Sequence, residues 1–145
     1  MTGAEYVLTG QLTVPLPASA AYRLFTPEGE RSWVDGWDPR YPVPGGDDAA
    51  PGTVFVTAAH GATTTWIVLE REPGRRIRYA RVTPGARAGT VAVVLEDTTE
   101  GCSVTVTYEL TALSEAGRDG LREFAGGYPA FLRSWQEAIA ASLNA

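Results

Sequence analysis

The chain has 145 residues, 44% of them hydrophobic, and a formal net charge of −5. Its length and composition suit one domain with its own core, so we expect residues 1–145 to form a single domain. The negative charge argues against nucleic-acid binding, which depends on clustered cations. No apolar run approaches the ~20 residues of a membrane span and no signal-peptide pattern opens the chain, so we expect a cytoplasmic protein without a membrane span.

Several residue types that enzymes commonly use are rare or missing. All 12 basic residues are arginine, which excludes a Schiff-base lysine and a phosphate-loop lysine in this chain. A single cysteine, Cys102, excludes an internal disulfide and a cysteine-rich zinc site. The single histidine, His60, lies in a glycine turn and is interpreted as a surface residue rather than a base. We therefore predict no metal and no cofactor, and assign no catalytic residue.

The first third of the chain predicts a strand, two short helices and a long loop. Residues 5–14 alternate between apolar and polar, which indicates a strand with one solvent face. Residues 17–25 and 26–34 each open with proline near a helix start, and the second segment adds a threonine cap and acids in its first turn. Residues 35–52 are mainly Gly, Pro, Asp and aromatic, so we predict a loop that acts as a mobile gate.

The middle of the chain reads as five further strands. Each connector between them is short and contains glycine, which favours antiparallel hairpins. Together with the first strand, they predict a six-stranded antiparallel sheet. The five predicted strands span residues 53–59, 63–70, 76–83, 90–97 and 103–113.

Residues 115–143 predict a long C-terminal helix. Apolar residues recur at spacings of three and four, and Ser114 precedes them as an N-cap. The run Gly126-Gly127-Tyr128-Pro129 predicts a kink or short break, after which the helix resumes at Ala130. The apolar faces of helix and sheet must cover each other, so we predict an α+β fold with a curved sheet wrapped around this helix.

The order of elements and several short motifs resemble the helix-grip fold of the START/Bet v1-like (SRPBCC) superfamily, in particular its uncharacterised bacterial, polyketide cyclase-like members. The likeness covers essentially the whole chain. It implies a deep, largely apolar cavity between the sheet and the last helix. The motifs are Leu24-Phe25-Thr26-Pro27-Glu28, Trp33, Trp37-Asp38-Pro39, Thr65-Trp66, Tyr79, Arg81, Pro84-Gly85, Tyr108-Glu109-Leu110-Thr111 and Trp135.

Aromatic residues and one arginine are the candidate ligand contacts. Trp33, Trp37 and Tyr41 bracket the long loop and either close a cavity mouth or pin the loop. The aromatic residues of the strands and the last helix are either core or cavity wall, which in a hollow fold can be one surface. The candidate residues are Trp33, Trp37, Trp66, Tyr79, Arg81, Tyr108, Phe124, Tyr128 and Trp135.

Arg81 is the candidate polar anchor. If Ile77 and Tyr79 face inward, the two-residue period of a strand turns Arg81 inward as well. A buried guanidinium needs a partner, so it should meet Glu70, Asp38 or an acidic oxygen of a ligand. An exposed arginine at a strand end is the alternative.

Three functions are compatible with the sequence. The first is binding of a small apolar or aromatic metabolite in the cavity. The second is a polyketide aromatase/cyclase-type enzyme, in which Arg81 or a tyrosine hydroxyl polarises a carbonyl. The third is a co-chaperone-like interaction domain, which should expose an apolar patch outside the cavity. Both a monomer and a homodimer remain open.

Overall fold

The computed structural model describes residues 3–59 and 61–145, and their strands form one antiparallel sheet. The order across the sheet is β1-β6-β5-β4-β3-β2, so every hairpin predicted from the short connectors pairs neighbouring strands. The predicted six-stranded sheet is therefore confirmed. The strands are β1 Tyr6–Val14, β2 Val54–Ala59, β3 Ala62–Glu72, β4 Arg76–Thr83, β5 Arg87–Thr98 and β6 Gly101–Ala112.

Strand β5 begins at Arg87, three residues earlier than predicted. Gly89 resembles a loop residue in the sequence, yet it pairs with Arg81 on one side and Leu110 on the other. A Cβ atom at Gly89 would lie 1.8 Å from the backbone oxygen of Glu109. Glycine is thus required here by the close approach of the two backbones, which is a regular use of glycine inside a strand.

The helical segments lie between β1 and β2 and after β6. Helix α1 spans Ala18–Ala21, and 3-10 turns follow at Tyr22–Phe25 and Gly29–Ser32. The C-terminal segment consists of α2, Glu115–Gly126, and α3, Tyr128–Leu143. Ser114 caps α2 by accepting a hydrogen bond from the Gly117 N–H at 2.9 Å, as predicted.

The predicted break in the C-terminal helix is confirmed at Gly127, but the helix resumes at Tyr128 rather than at Ala130. The resumption is earlier because Pro129 lies in the first turn of α3, where a missing backbone donor costs little. Within the described residues, no helix has the length and apolar character needed to cross a membrane.

The core lies between the inner face of the sheet and helix α3. Alternate residues of β6 from Cys102 to Leu110 are buried, as the alternation of that strand predicts. Helix α3 crosses β1 closely, since a Cβ atom added at Gly10 would lie 2.6 Å from Leu132 Cδ1. The α+β helix-grip architecture predicted from the sequence is thus the observed one.

Candidate functional site

A small enclosed space lies between the inner face of the sheet, the two 3-10 turns and α3. Its volume is about 20 Å³, which is room for roughly one water molecule. The deep, largely apolar cavity implied by the resemblance is not shown here and stays a prediction. The lining residues are Phe25, Glu30, Trp37, Phe55, Trp66, Tyr79, Val91, Val93, Tyr108 and Trp135.

Aromatic rings form most of the wall. Trp66 of β3 stacks on Phe55 of β2 with ring centroids 5.7 Å apart, because these two residues are register partners. Tyr79 packs edge-on against both rings. Trp37, from the loop after the 3-10 turns, packs edge-on against Trp66 at 5.7 Å. The surface offered to a ligand is flat and apolar on this side.

The polar groups of three wall side chains already make hydrogen bonds within the protein. Each donates a hydrogen bond to an oxygen of the protein, which orients the ring and leaves its apolar part to form the wall. These residues therefore serve as walls. The bonds are Trp37 Nε1 to the Pro27 carbonyl (2.8 Å), Trp66 Nε1 to Thr57 Oγ1 (2.9 Å) and the Tyr79 hydroxyl to the Phe25 carbonyl (2.7 Å).

Glu30 contributes the one carboxyl group of the lining. The 3-10 turn at Gly29–Ser32 packs so tightly on the preceding turn that a Cβ at Gly29 would lie 1.6 Å from the Arg23 carbonyl oxygen. Part of Glu30 remains accessible, but burial of its carboxyl raises the pKa well above its ordinary value. No hydrogen bond or ion pair to this carboxyl occurs within residues 3–59 and 61–145.

Tyr108 of β6 supplies a second polar group. The residue is 5% exposed, and burial raises the pKa of its hydroxyl. Arg81 opposes that increase in the pKa of Tyr108, and Glu30 adds to it. In the described part of the chain, its hydroxyl makes no hydrogen bond, whereas that of Tyr128 binds the Val106 carbonyl at 2.7 Å.

Arg81 lies on the inner face of β4, as the two-residue period predicts. Its guanidinium covers the Trp66 ring, with Cζ 4.7 Å from the ring centroid. Nη2 donates to Thr83 Oγ1 at 3.2 Å, while Nε is buried and has no acceptor among the described residues. Burial lowers the pKa of this guanidinium. Arg81 thus borders the enclosed space through Trp66 and retains an unused donor.

The acidic partners predicted for Arg81 were wrong. Asp38 is engaged by Arg31, whose Nη1 lies 2.8 Å from Asp38 Oδ1. Glu70 lies on the exposed outer face, where it pairs in register with Arg78. Across the described ranges, Arg81 forms no ion pair, so only the expectation of a ligand oxygen remains.

Five predicted site residues, Trp37, Trp66, Tyr79, Tyr108 and Trp135, line the enclosed space together. Arg81 borders it, and the other three lie behind the wall. Trp33 packs on Phe25 and Trp135, with its Nε1 bonded to the Leu24 carbonyl at 2.7 Å. Phe124 and Tyr128 pack against the far side of Tyr108, with ring centroids 5.3 and 5.9 Å away. Their role as ligand contacts stays a prediction.

Sequence reasoning missed Glu30. It treated the acid as a first-turn residue of a second short helix, where a carboxylate favours the helix dipole. The observed 3-10 turn is too short to show an apolar period, so the pattern could not indicate an inward side chain. The only available signal was Gly29, whose lack of a side chain permits the tight packing. His60 lies outside the described residues, so its interpretation as a surface residue is untested.

The loop between the second 3-10 turn and β2 is tethered at both ends. Arg31 Nη2 donates to the Pro39 carbonyl at 2.8 Å. Arg40 exchanges two backbone hydrogen bonds with Val56 of β2, and the Gly52 N–H donates to the Val68 carbonyl at 2.8 Å. The gate predicted from the sequence can therefore extend only over the middle of this loop.

We expect amide hydrogen exchange to divide this loop into fast and slow parts. Val43, which is 83% exposed, should exchange fast with Gly45 and Gly46, while the bonded amides of Arg40 and Gly52 should exchange slowly. Exchange followed by NMR with and without ligand measures this difference. Equal protection throughout the free protein's loop would rule out a gate.

Comparison with known proteins identifies the family. Residues 7–142 match the family model described as polyketide cyclase / dehydrase and lipid transport. The chain belongs to this family. The resemblance to START/Bet v1-like proteins drawn from the motifs is thereby confirmed. A comparison with curated protein sequences found no significant match.

Solved structures related to this polyketide cyclase / dehydrase family member share its fold at low sequence identity. Protein MLL2253 from Mesorhizobium loti is 17% identical with a TM-score of 0.69, and the alignment covers 94% of this chain and 98% of that one. DynU16, from the dynemicin biosynthetic locus, is 16% identical with a TM-score of 0.65, covering 92% and 47%. The Aha1 dimer from Colwellia psychrerythraea is 13% identical with a TM-score of 0.66, covering 92% and 96%. At these identities the likeness shows the fold alone.

Proposed function

We propose that this protein binds a small, flat aromatic molecule carrying an acidic oxygen, in the space between the inner face of the sheet and α3. The observation that carries the proposal is a set of three polar groups in an aromatic interior, Glu30, Tyr108 and Arg81, whose capacity for hydrogen bonds is not used up by the described residues. The family's description, which includes cyclases and lipid transport, agrees with a ligand-binding interior.

The energetic argument starts from the cost of leaving such groups unused. A buried polar group without a hydrogen bond costs about 1–3 kcal/mol, and a charged one costs more. The same interior satisfies the tips of Trp37, Trp66 and Tyr79. Among the described residues, the Tyr22 hydroxyl is also buried without a partner, but Tyr22 does not line this space. A ligand that accepts from Arg81 and Tyr108 would recover this free energy on binding.

Ligand entry requires the wall to move, because 20 Å³ holds only about one water molecule. Trp37 is the wall residue on the loop, and it is half-buried, while Phe55 and Trp66 are fixed by the sheet. Trp37 lies before the tethers at Pro39 and Arg40, so its side chain has to rotate outward and give up its hydrogen bond to the Pro27 carbonyl. That rotation would expose the faces of Phe55 and Trp66 and is the route of entry in this proposal.

Two measurements test the proposal. Native mass spectrometry of protein purified from its own host should show a small aromatic molecule that remains bound. Titration of tryptophan fluorescence should show saturable binding of 2-naphthoate that is tighter than binding of the matched neutral 2-naphthamide, since only the acid supplies a charge for Arg81. Absence of a retained molecule together with no binding of either probe would contradict the proposal.

A cyclase-type enzyme that uses the same interior is the first alternative. The observation that favours it is the presence of a carboxyl, a phenol and a guanidinium around one aromatic space, since these groups can transfer protons and hold an oxyanion. Turnover of a supplied poly-carbonyl substrate separates an enzyme from a binding protein.

A protein-interaction domain is the second alternative. Its supporting observation is a group of exposed apolar residues on the outer face of β2, β3 and β4, which includes Val54, Ile67, Leu69 and Val82. The opposite half of that face, on β6, carries mainly threonine and serine. Replacing Ile67 by aspartate should then abolish association with a protein partner while leaving binding of 2-naphthoate unchanged.

A further inference from the structure

We propose that Arg81 and Arg87 together bind a doubly charged acid group, which makes a phosphate monoester of an aromatic molecule the class of ligand. This inference rests on the proposed function, because the aromatic part of the ligand would occupy the same interior. It adds a second cation to the site and narrows the ligand from an aromatic acid to an aromatic phosphate.

Arg81 and Arg87 are diagonal neighbours on the inner face of the sheet. In the antiparallel pairing of β4 with β5, Arg81 lies opposite Gly89 and Arg87 lies opposite Thr83. Arg87 shares the inward phase of β5 with the buried Val91. Diagonal neighbours lie about 7–8 Å apart, within reach of long side chains. The spacing therefore allows both guanidinium groups to contact one anion.

Each guanidinium lies over an aromatic ring. Cζ of Arg81 is 4.7 Å from the ring centroid of Trp66, and Cζ of Arg87 is 5.6 Å from that of Phe124. Such a contact uses the face of the guanidinium and leaves N–H groups at its edge free to donate. The rings also join the arginines to the enclosed space, since Trp66 lines it and Phe124 packs edge-on against the lining residue Tyr108.

Neither cation has an acidic partner in the part of the chain that the structure describes. Arg81 donates only to Thr83 Oγ1 there, and its Nε is buried without an acceptor. Arg87 makes no hydrogen bond to another described residue. By contrast, Arg118 and Arg122 of the neighbouring helix α2 each pair with a carboxylate. The donors of Arg81 and Arg87 are thus available to a ligand.

The repulsion between the two arginines favours a ligand with two negative charges. The pKa of Arg81 is lowered by burial and also by the positive charge of Arg87. Both groups stay protonated at physiological pH, so a monoanion would leave one of them without an opposite charge. A phosphate monoester is largely a dianion at about pH 8, because its second pKa is about 6. Its oxygens also accept paired hydrogen bonds from arginine.

The test compares 2-naphthyl phosphate with 2-naphthyl sulfate, which has nearly the same shape and one negative charge fewer. At about pH 8, where the phosphate ester is a dianion, isothermal titration calorimetry gives both affinities. Wild type should bind the phosphate about 10-fold or more tightly than the sulfate, the usual effect of one hydrogen bond between charged groups. Arg87→Gln should reduce the ratio of the two affinities to near one and still bind the sulfate, because Arg81 remains.

Arg122→Gln is the matched control. It removes the same charge from an exposed position on α2, where Arg122 pairs with Asp119. Its ratio of affinities should equal that of wild type, which separates a local contact from a change in net charge. A folded Arg87→Gln protein that keeps the wild-type ratio would overturn the inference, and so would equal affinity of wild type for the two esters.

The phosphate group could also be carried by a lipid. Dihexanoyl phosphatidic acid has the same phosphate monoester on acyl chains. It should bind more weakly than 2-naphthyl phosphate, because the flat rings of the wall suit an aromatic group. Tighter binding of the lipid would refute the aromatic class of ligand.

The outcomes separate this inference from the proposed function. If wild type binds 2-naphthoate but does not prefer the phosphate ester to the sulfate ester, the paired-arginine site is refuted and the proposed function stands. If wild type binds neither 2-naphthoate nor either ester, the interior is not a ligand site and both fail together.

Discussion

Replacing Arg81 by leucine should weaken binding of 2-naphthoate by about 2–5 kcal/mol while leaving the free energy of unfolding unchanged or higher. Arg81 is half-buried on the inner face of β4, with its Nε fully enclosed, and it has no acidic partner within residues 3–59 and 61–145. Removing it therefore leaves no opposite charge unpaired in the free protein. The cost should appear only when an anionic ligand is present.

Urea denaturation and fluorescence titration of Arg81→Leu, side by side with wild type, measure the two quantities. Arg78→Leu is the matched control, because Arg78 lies on the same strand but on the opposite face of the sheet. It should leave the affinity for 2-naphthoate unaltered. A loss of about 3–5 kcal/mol in stability for Arg81→Leu would show instead that an internal acid depends on this guanidinium.

The free energy of unfolding of the wild-type protein should fall as the pH rises and Glu30 ionises. Replacing Glu30 by glutamine should remove this contribution to the fall. The pKa of Glu30 is raised by burial in the folded state, so folding favours its protonated form. The associated stability is fully present below the unfolded pKa of about 4.3 and is lost as the pH rises through the folded pKa. Each unit of difference between the two pKa values corresponds to about 1.4 kcal/mol.

Wild type and Glu30→Gln should thus be nearly equal in stability at about pH 4, and the variant should be more stable at about pH 8. Tyr79 of β4 and Tyr108 of β6 are the titratable residues whose pKa values Glu30 raises from the sheet. Both hydroxyls stay protonated throughout this pH range.

Acids with lowered pKa values, such as Glu5 and Asp47, impose the opposite pH dependence. Because both proteins contain them, the difference in unfolding free energy between the two isolates Glu30. Chemical denaturation at intervals between pH 4 and pH 9 gives this difference. A difference that is independent of pH would mean that the Glu30 carboxyl is solvated.

The sheet could be predicted because its signals are local and periodic. Alternation in β1 and β6 fixes which side chains face inward, and the same period correctly placed Arg81 on the inner face. Short glycine-containing connectors fixed the pairing of neighbouring strands. The helix break followed from the local chemistry of glycine and proline, although the residue at which the helix resumes depended on where proline is tolerated.

The site was only partly predictable because its polar groups depend on packing between distant segments. The inward position of Glu30 follows from contact between two 3-10 turns, and no period in the sequence reports that contact. Likewise, Asp38 does not pair with Arg81, because the Arg31 side chain binds Asp38 and the loop instead. Four of the predicted aromatic residues, Trp66, Tyr79, Tyr108 and Trp135, line the enclosed space because inward strand positions and a helix stripe converge there, and Trp37 joins them from the loop.

The central claim is that a small aromatic acid binds between the inner face of the sheet and α3. Isotope-filtered NOE spectra of the labelled protein with unlabelled 2-naphthoate test it most directly. We expect NOEs from the ligand to the ring protons of Trp66 and Tyr108 and to the methyl groups of Val91. NOEs confined to Ile67 and Val82 on the outer face would contradict the account.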